Sequence, residues 1–372
     1  MERYDMPIEA AVIVFPIVAF VLTMPYVVYN YMRYGSVSKW RTFILFTMLF
    51  YLMCAYFLII LPLPDPDEVA QYTTPTMQLV PFRFVHDFIT ESGFEVAHPA
   101  TWLHALRSSA FYQPLFNFAL VIPWGIYLKY YFKARLRTTI ILSFALSLFF
   151  ELTQLSALYG IYPRSYRLFD VDDLMLNTLG GVVGYAVALR LPRFLPSRDR
   201  IDEVARERAG HVGYSRRFVA FIIDYALINT LAIPLISFLH MNEVLSFAIA
   251  LFAYSILVPW VCRGATLGKL LTRQRIRRDD GSRATLPALL LRYTIRNLGL
   301  VSFALASALV SDVNFDYQVI PVLYELLCLI VLVVDAFISL RHDKRFLFER
   351  LSHTRSISTF GVSARPHKGS AE

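Results

Sequence analysis

Around the facing ends of two apolar runs, and in the short loop that joins them, stand Glu151, Gln154, Arg167, Asp170, Asp172, Asp173 and Asn177. Glu151 and Gln154 are three residues apart, and Asp173 and Asn177 four, so each pair shares one face of a helix. A carboxylate inside a bilayer is costly, which predicts that Glu151 faces other polar groups or a wet cavity. Two chemistries suit the set. Arg167 could take a phosphate or carboxylate on its planar fork, and Glu151 could accept a proton in a partly dry site. The competing account is structural: Arg167 pairs with the acids, and Asp170 or Asp173 caps the helix that follows. Gly180 and Gly184 repeat the four-residue spacing deeper in that helix and predict a close helix–helix approach.

A second polar set follows. Arg217 and Asp224 are seven residues apart on one helical face, which places Asp224 about 10 Å into an apolar run at about 1.5 Å per residue. Such a carboxylate predicts a partner, either Arg217 bending back or a cation from another helix. Glu325 and Asp335 lie in a later apolar run, and Arg292 and Arg296, four apart, are candidate counter-charges. The stretch from Gly264 to Lys269 is not a phosphate-binding loop. Three residues separate Gly264 from Gly268 and Leu270 follows the lysine, where that loop requires four and a Ser or Thr. No nucleophile–base pair, metal-ligand set or cofactor motif is found, so the reading leans away from an enzyme and assigns no cofactor. A hydrolase or transferase acting through Glu151 and the aspartates is the enzymatic alternative. His86, His98 and His104 match no recognised zinc spacing, and no metal is assigned.

The elements that hold these residues are apolar helices. Of the 372 residues 56% are hydrophobic and 17% charged, against about 25% charged in an ordinary soluble protein. The apolar residues gather in runs long enough to cross a bilayer, about 20 residues each. Nine such runs are expected at 9–31, 42–62, 115–131, 138–158, 174–191, 217–239, 243–262, 288–310 and 319–340. The first is read as a retained span rather than a removed signal peptide, because Glu2, Asp5 and Glu9 offset Arg3 and no Ala-x-Ala-like site follows.

Most of the 36 Lys and Arg residues fall in alternate connections: Arg33 to Arg41, Lys129 to Arg137, Arg190 to Arg217, Arg263 to Arg283, and the tail from Arg341. The positive-inside rule then places the N-terminus outside and the C-terminus in the cytoplasm, as nine crossings require. The expected fold is therefore all-α, a polytopic membrane protein of about nine transmembrane helices, five plus four. Its divisions are a membrane domain at 1–191, a basic cytoplasmic linker at 192–214, a second membrane domain at 215–358 and a flexible tail at 359–372. The net charge of +8 sits at span ends, which suits anionic lipid headgroups and excludes nucleic acid as the expected partner. Cys54, Cys262 and Cys328 lie within or at the edge of apolar runs and imply packing thiols, not a disulfide framework. The segment 82–89 reads as an amphipathic helix at the membrane interface.

The first polar set carries a resemblance. Glu151-x-x-Gln154, Arg167-x-x-Asp170-x-x-Asp173, then Asn177-x-x-Gly180 with Gly184, resembles the signature of the VanZ-like family. Upstream, Leu79-Val80-Pro81-Phe82 resembles that family's Asn-Leu-Ile-Pro-Phe element, with Gln78 where an Asn is usual. Asn117 with Ile122-Pro123-Trp124-Gly125 resembles its Asn…Phe-x-Pro-x-Gly span. This likeness covers about 40–190. Over about 210–358 the chain resembles the RDD family, through Arg217 and Asp224, the Gly264-x-Thr-Leu-Gly268-Lys269 loop, Arg292 and the closing Glu349…Thr354 element. Glu349 stands where the second namesake Asp is expected, which lengthens the reach of that carboxylate.

The first resemblance implies a bacterial plasma-membrane protein of the cell envelope, linked to glycopeptide resistance of the teicoplanin type. Its expected ligand at an outward-facing polar site is the drug or an envelope precursor. The alternative is ion- or proton-coupled transport through Asp224, Glu325 and Asp335, with a homo-oligomer supplying further helices. A scaffold whose basic loops recruit anionic lipids is the third reading.

Overall fold

A computed structural model of the chain describes residues 2–191, 195–240, 242–297, 301, 323, 326, 330, 339 and 345–360. The expected sites at Glu325 and Asp335, most of the last two spans and the tail beyond 360 lie outside the described residues. The chain divides into two compact units, Met1–Pro25 with Ser38–Val204, and Tyr26–Val37 with Ala205–Glu372.

Both units are built mainly of helices. In chain order these are α1 (Glu2–Tyr34), α2 (Lys39–Ile60), α3 (Pro66–Ala70), α4 (Arg83–Glu91), α5 (Pro99–Leu106), α6 (Ser109–Leu120) and α7 (Ile122–Tyr130). They continue with α8 (Leu136–Leu155), α9 (Ala157–Gly160), α10 (Val171–Ala188), α11 (Arg198–Ala209), α12 (Tyr214–Leu239), α13 (Glu243–Val261) and α14 (Leu267–Leu271). Residues 286–297 are also helical, and a short helix covers Leu347–Leu351. Among the described residues five helices are long and apolar enough to cross a membrane, within α1, α2, α8, α12 and α13. Side chains such as Phe20 on α1 and Phe238 on α12 are about four-fifths exposed. Outward-facing apolar groups of that size are what acyl chains, not water, accommodate. The protein is a helical membrane protein.

The run expected as a single span at 115–131 is divided into α6 and α7. Pro123 lacks the N–H that would bond Ala119 and its ring crowds that carbonyl, so the helix restarts there. In the first unit α10 packs on α6, α7 and α8. The close approach is set by glycine. A methyl group on Gly180 would lie 2.0 Å from the Phe118 carbonyl oxygen, and one on Gly184 2.1 Å from that of Ile122. In this seam Gly125 lies against the Gly181 backbone, and a methyl group on Gly181 would meet the Ser143 side chain of α8. Ala55, Ile59 and Phe150 pack beside it with Leu120 and Leu146.

Two small sheets join distant segments. β1 (Met77–Gln78) pairs in parallel with β2 (Phe169–Asp170), aligning Gln78 with Asp170. β3 (Gln274–Arg278) pairs antiparallel with β4 (Thr354–Ser358) in the second unit, with Gln274 opposite Ser358. The basic stretch after Lys269 is thus a strand, a departure from helices alone.

The polar segment expected as a linker contains α11. Its first half packs in the first unit, where Ile201 meets Ile44 and Tyr131. There Asp202 pairs with buried Arg41, and Asp199 pairs with Lys133 at 2.6 Å. Its second half belongs to the second unit, where the Ala205 carbonyl accepts from Ser36 Oγ at 2.6 Å.

Candidate functional site

The N-terminus of α10 organises the first polar set. Asp170 is the N-cap, and its Oδ1 accepts the Asp172 N–H at 2.8 Å. Asp172 and Asp173 occupy the first turn, where free N–H groups and the helix dipole favour negative charge. The Asp170 N–H donates to Glu151 Oε2 at 2.9 Å, tying the end of α8 to the start of α10. The β1–β2 register brings Gln78 alongside, and its Nε2 donates to Asp170 Oδ1 at 3.2 Å and to the Val80 carbonyl at 2.8 Å. Burial pushes the Asp170 carboxyl above the usual carboxylate range.

Asp172 accepts the Phe82 N–H at 2.6 Å and the Phe84 N–H at 3.0 Å. Phe82 holds a φ of 62°, a region that aromatic residues rarely adopt, so this carboxylate fixes the entry into α4. The Asn117 amide donates to Asp173 Oδ1 at 2.5 Å, which joins α6 to α10. Asn177 Nδ2 donates to Ser147 Oγ at 2.9 Å. Gln154 Nε2 donates to the Ile59 carbonyl at 3.4 Å.

Glu151, Gln154, Arg167, Asp170, Asp173 and Asn177 all line one cavity of about 610 Å³. Its polar wall meets an apolar one formed by Leu58, Leu61, Phe116 and Phe150. Arg167 donates to the Leu61 and Leu58 carbonyls at the end of α2. Its guanidinium therefore spends donors on backbone and braces the cavity wall, where the sequence reading gave it to an anion. Asp172, Asn117 and Gln78 are further residues of the site. The sequence held Asn117 and Gln78 as parts of motifs and Asp172 as one of the acids, each without a partner, because their bonds cross between elements far apart in the chain.

The second polar set is organised differently. Asp224 is 1% exposed and accepts three hydrogen bonds: from Tyr254 OH at 2.7 Å, Thr266 Oγ1 at 2.6 Å and the Gly268 N–H at 2.8 Å. Neutral groups make its hydrogen bonds, while the buried Lys269 and Arg296 cations interact with it electrostatically rather than by direct pairing. A methyl group on Gly268 would sit 2.2 Å from the Ala220 carbonyl oxygen, so only glycine lets the loop reach Asp224. Gly264 holds a φ of +92° and lies against the Ile276 carbonyl, turning the chain from α13 toward β3.

Arg217 instead meets Glu349, at 2.6 Å from Oε2, and Arg292 meets the same carboxylate at 2.9 Å from Oε1. Burial pushes the Glu349 carboxyl up, but the Arg292 and Arg217 guanidiniums outweigh it and hold it below the usual range. Arg292 also donates to Thr354 Oγ1 at 2.7 Å, and Arg296 lies over the Tyr293 ring at 4.5 Å. Lys269 is buried in α14, and burial lowers its ammonium to about 7. Asp224, Gly264 and Gly268 thus fix the loop, whereas Arg217, Arg292 and Glu349 join α12 and helix 286–297 to the segment near β4.

Among the described residues no group of three or more His, Cys, Asp or Glu side chains could hold a metal ion. Residues 46–192 match the VanZ/LLP1 family model and residues 212–352 match the RDD family model. No curated protein and no solved structure matches the chain. The polar cavity lies within the first match and the Glu349 ion cluster within the second, so the chain is a VanZ-like region followed in tandem by an RDD-family region.

Proposed function

We propose that the VanZ-like region is a ligand-binding module of a bacterial plasma membrane, open to the outer side, which contributes to glycopeptide resistance of the teicoplanin type. One observation carries this reading: six polar residues from α8, α10 and the intervening loop converge on one cavity of about 610 Å³. Its size falls within the ~300–1,000 Å³ of small-molecule sites, and it combines an apolar wall with a few convergent polar groups. The envelope link comes from the family likeness. The transport alternative draws on Asp224, whose carboxylate is occupied by Tyr254, Thr266 and Gly268. That occupancy suits an anchor better than a proton carrier.

The test is teicoplanin susceptibility in a sensitive Gram-positive host carrying the full chain, Glu151→Gln or Asp173→Asn at matched membrane levels. Resistance from the intact chain that both near-isosteric variants lose is the expected result. Unchanged susceptibility with the intact chain would overturn the resistance reading.

A further inference from the structure

We propose that the cavity of the VanZ-like region takes an organic ammonium ion, with the charged nitrogen held between α8 and α10 and the organic body against the apolar wall. The inference rests on the reading of this cavity as a ligand site and names its ligand class.

Charge is the first ground. Asp87, Glu91, Glu151, Asp170, Asp172 and Asp173 line the cavity, and Arg167, on the same wall, directs its guanidinium to the Leu61 and Leu58 carbonyls. Six carboxyl groups against one guanidinium leave the wall with an excess of acidic groups, and a cavity with low-dielectric walls and such an excess concentrates counter-ions of the opposite sign. Phosphate or carboxylate ligands would meet repulsion there.

The unused hydrogen-bonding capacity is the second ground. Glu151 spends Oε2 on the Asp170 N–H, Asp170 spends Oδ1 on Asp172 and Gln78, and Asp173 spends Oδ1 on Asn117. The second oxygen of each carboxylate accepts no hydrogen bond from the described residues. Asn177, one turn below Asp173 and 4% exposed, has its Oδ1 buried without a partner while its Nδ2 is committed to Ser147. An orphaned acceptor at that burial is left without the solvation it loses on folding. The amides of Asn117, Gln154 and Asn177 are all spent on protein acceptors. The site therefore offers spare acceptors, and a primary ammonium brings three donors and a positive charge.

The surroundings separate an organic cation from a bare metal ion. No group of acids among the described residues is arranged to hold a metal. Leu58, Leu61, Phe116 and Phe150 supply a face suited to hydrocarbon.

The test measures ligand-induced thermal stabilisation of the purified full chain in nanodiscs of neutral lipid. The probes are phenethylammonium, the neutral 2-phenylethanol, the anionic phenylacetate and Mg²⁺. Saturable stabilisation by phenethylammonium alone is expected, with affinity falling about tenfold in Glu151→Gln and in Asp173→Asn. Asp199→Asn, on the exposed face of α11, is expected to bind as the parent does. Two further measurements guard against misfolding: each variant must elute as a single species, and Asn177→Leu should weaken binding without altering net charge.

Equal or tighter binding of phenylacetate or Mg²⁺, amine binding indifferent to Glu151 and Asp173, or no saturable response to the amine would each overturn the proposal. Resistance that needs Glu151 and Asp173 without amine binding would sink the ligand class and leave the resistance role standing. Amine binding without a resistance effect would do the reverse.

Discussion

Replacing Glu349 by the shorter acid probes the buried ion cluster of the RDD region. The Glu349 side chain is 0% exposed, and its two oxygens are shared by Arg217 at 2.6 Å and Arg292 at 2.9 Å. Ser356 Oγ donates to Oε1 at 3.2 Å, and the Phe346 N–H to Oε2 at 3.3 Å. Glu349→Asp withdraws the carboxylate by one carbon–carbon bond, about 1.5 Å. At least one guanidinium contact then lies beyond hydrogen-bond reach. A charge-assisted bond contributes about 1.5–3 kcal/mol, so Asp should cost about that much. Glu349→Gln keeps the length but leaves two cations facing a neutral amide. Breaking a buried pair in this way costs about 3–5 kcal/mol.

The expected order of thermal stability in detergent is parent, then Glu349→Asp, then Glu349→Gln, followed by tryptophan fluorescence of the intact chain. The pH dependence has a fixed sign. Because the folded carboxyl titrates below its unfolded value, its stabilisation is present above the unfolded pKa and fades as pH falls through the folded one. The difference between parent and Glu349→Gln should therefore shrink in acid. Parent-like stability of Glu349→Asp and Glu349→Gln at neutral pH would refute the view that this carboxylate holds α12 and helix 286–297 to the closing segment.

Two other outcomes test the packing. Gly180→Ala sets a methyl group 2.0 Å from the Phe118 carbonyl oxygen. It should destabilise the VanZ-like region by about 1–3 kcal/mol, read as a lower unfolding temperature, and parent-like behaviour would refute the glycine seam. Lys269 titrates near 7 in the fold against 10.5 unfolded, so the unfolded chain binds its proton more readily between those values and stability should rise with pH across them. At about 1.4 kcal/mol per tenfold step the ceiling is roughly 4–5 kcal/mol. Lys269→Met should flatten the profile from pH 7 to 10, and a slope equal to the parent's would count against the buried lysine.

The residues of the cavity were legible in the sequence as helix-face pairs, and its glycines as contact points, because periods of three and four depend only on helix geometry. Their partners were not. Asp172 serves Phe82 and Phe84 across 90 and 88 positions, and nothing in either local pattern specifies such a bond. The same limit explains Arg217. Its spacing from Asp224 suggested a pair on one helix, but the loop at Gly268 reaches Asp224 first and Arg217 finds Glu349, 132 residues away. The extra methylene of Glu349, a departure from the RDD pattern in sequence, spans two guanidiniums in the fold.

By itself the sequence determined the solvent. Apolar runs of bilayer length, and cations gathered at their ends, are properties of consecutive residues, so the helical membrane class follows from composition and order. Tertiary structure decided how each buried charge is satisfied. It divided the span at Pro123, paired Gln274 to Arg278 with Thr354 to Ser358, turned Arg167 onto backbone carbonyls and left spare acceptors around the cavity. Those outcomes depend on competition between groups brought together from distant positions, where the nearest satisfied donor wins and local spacing has no vote.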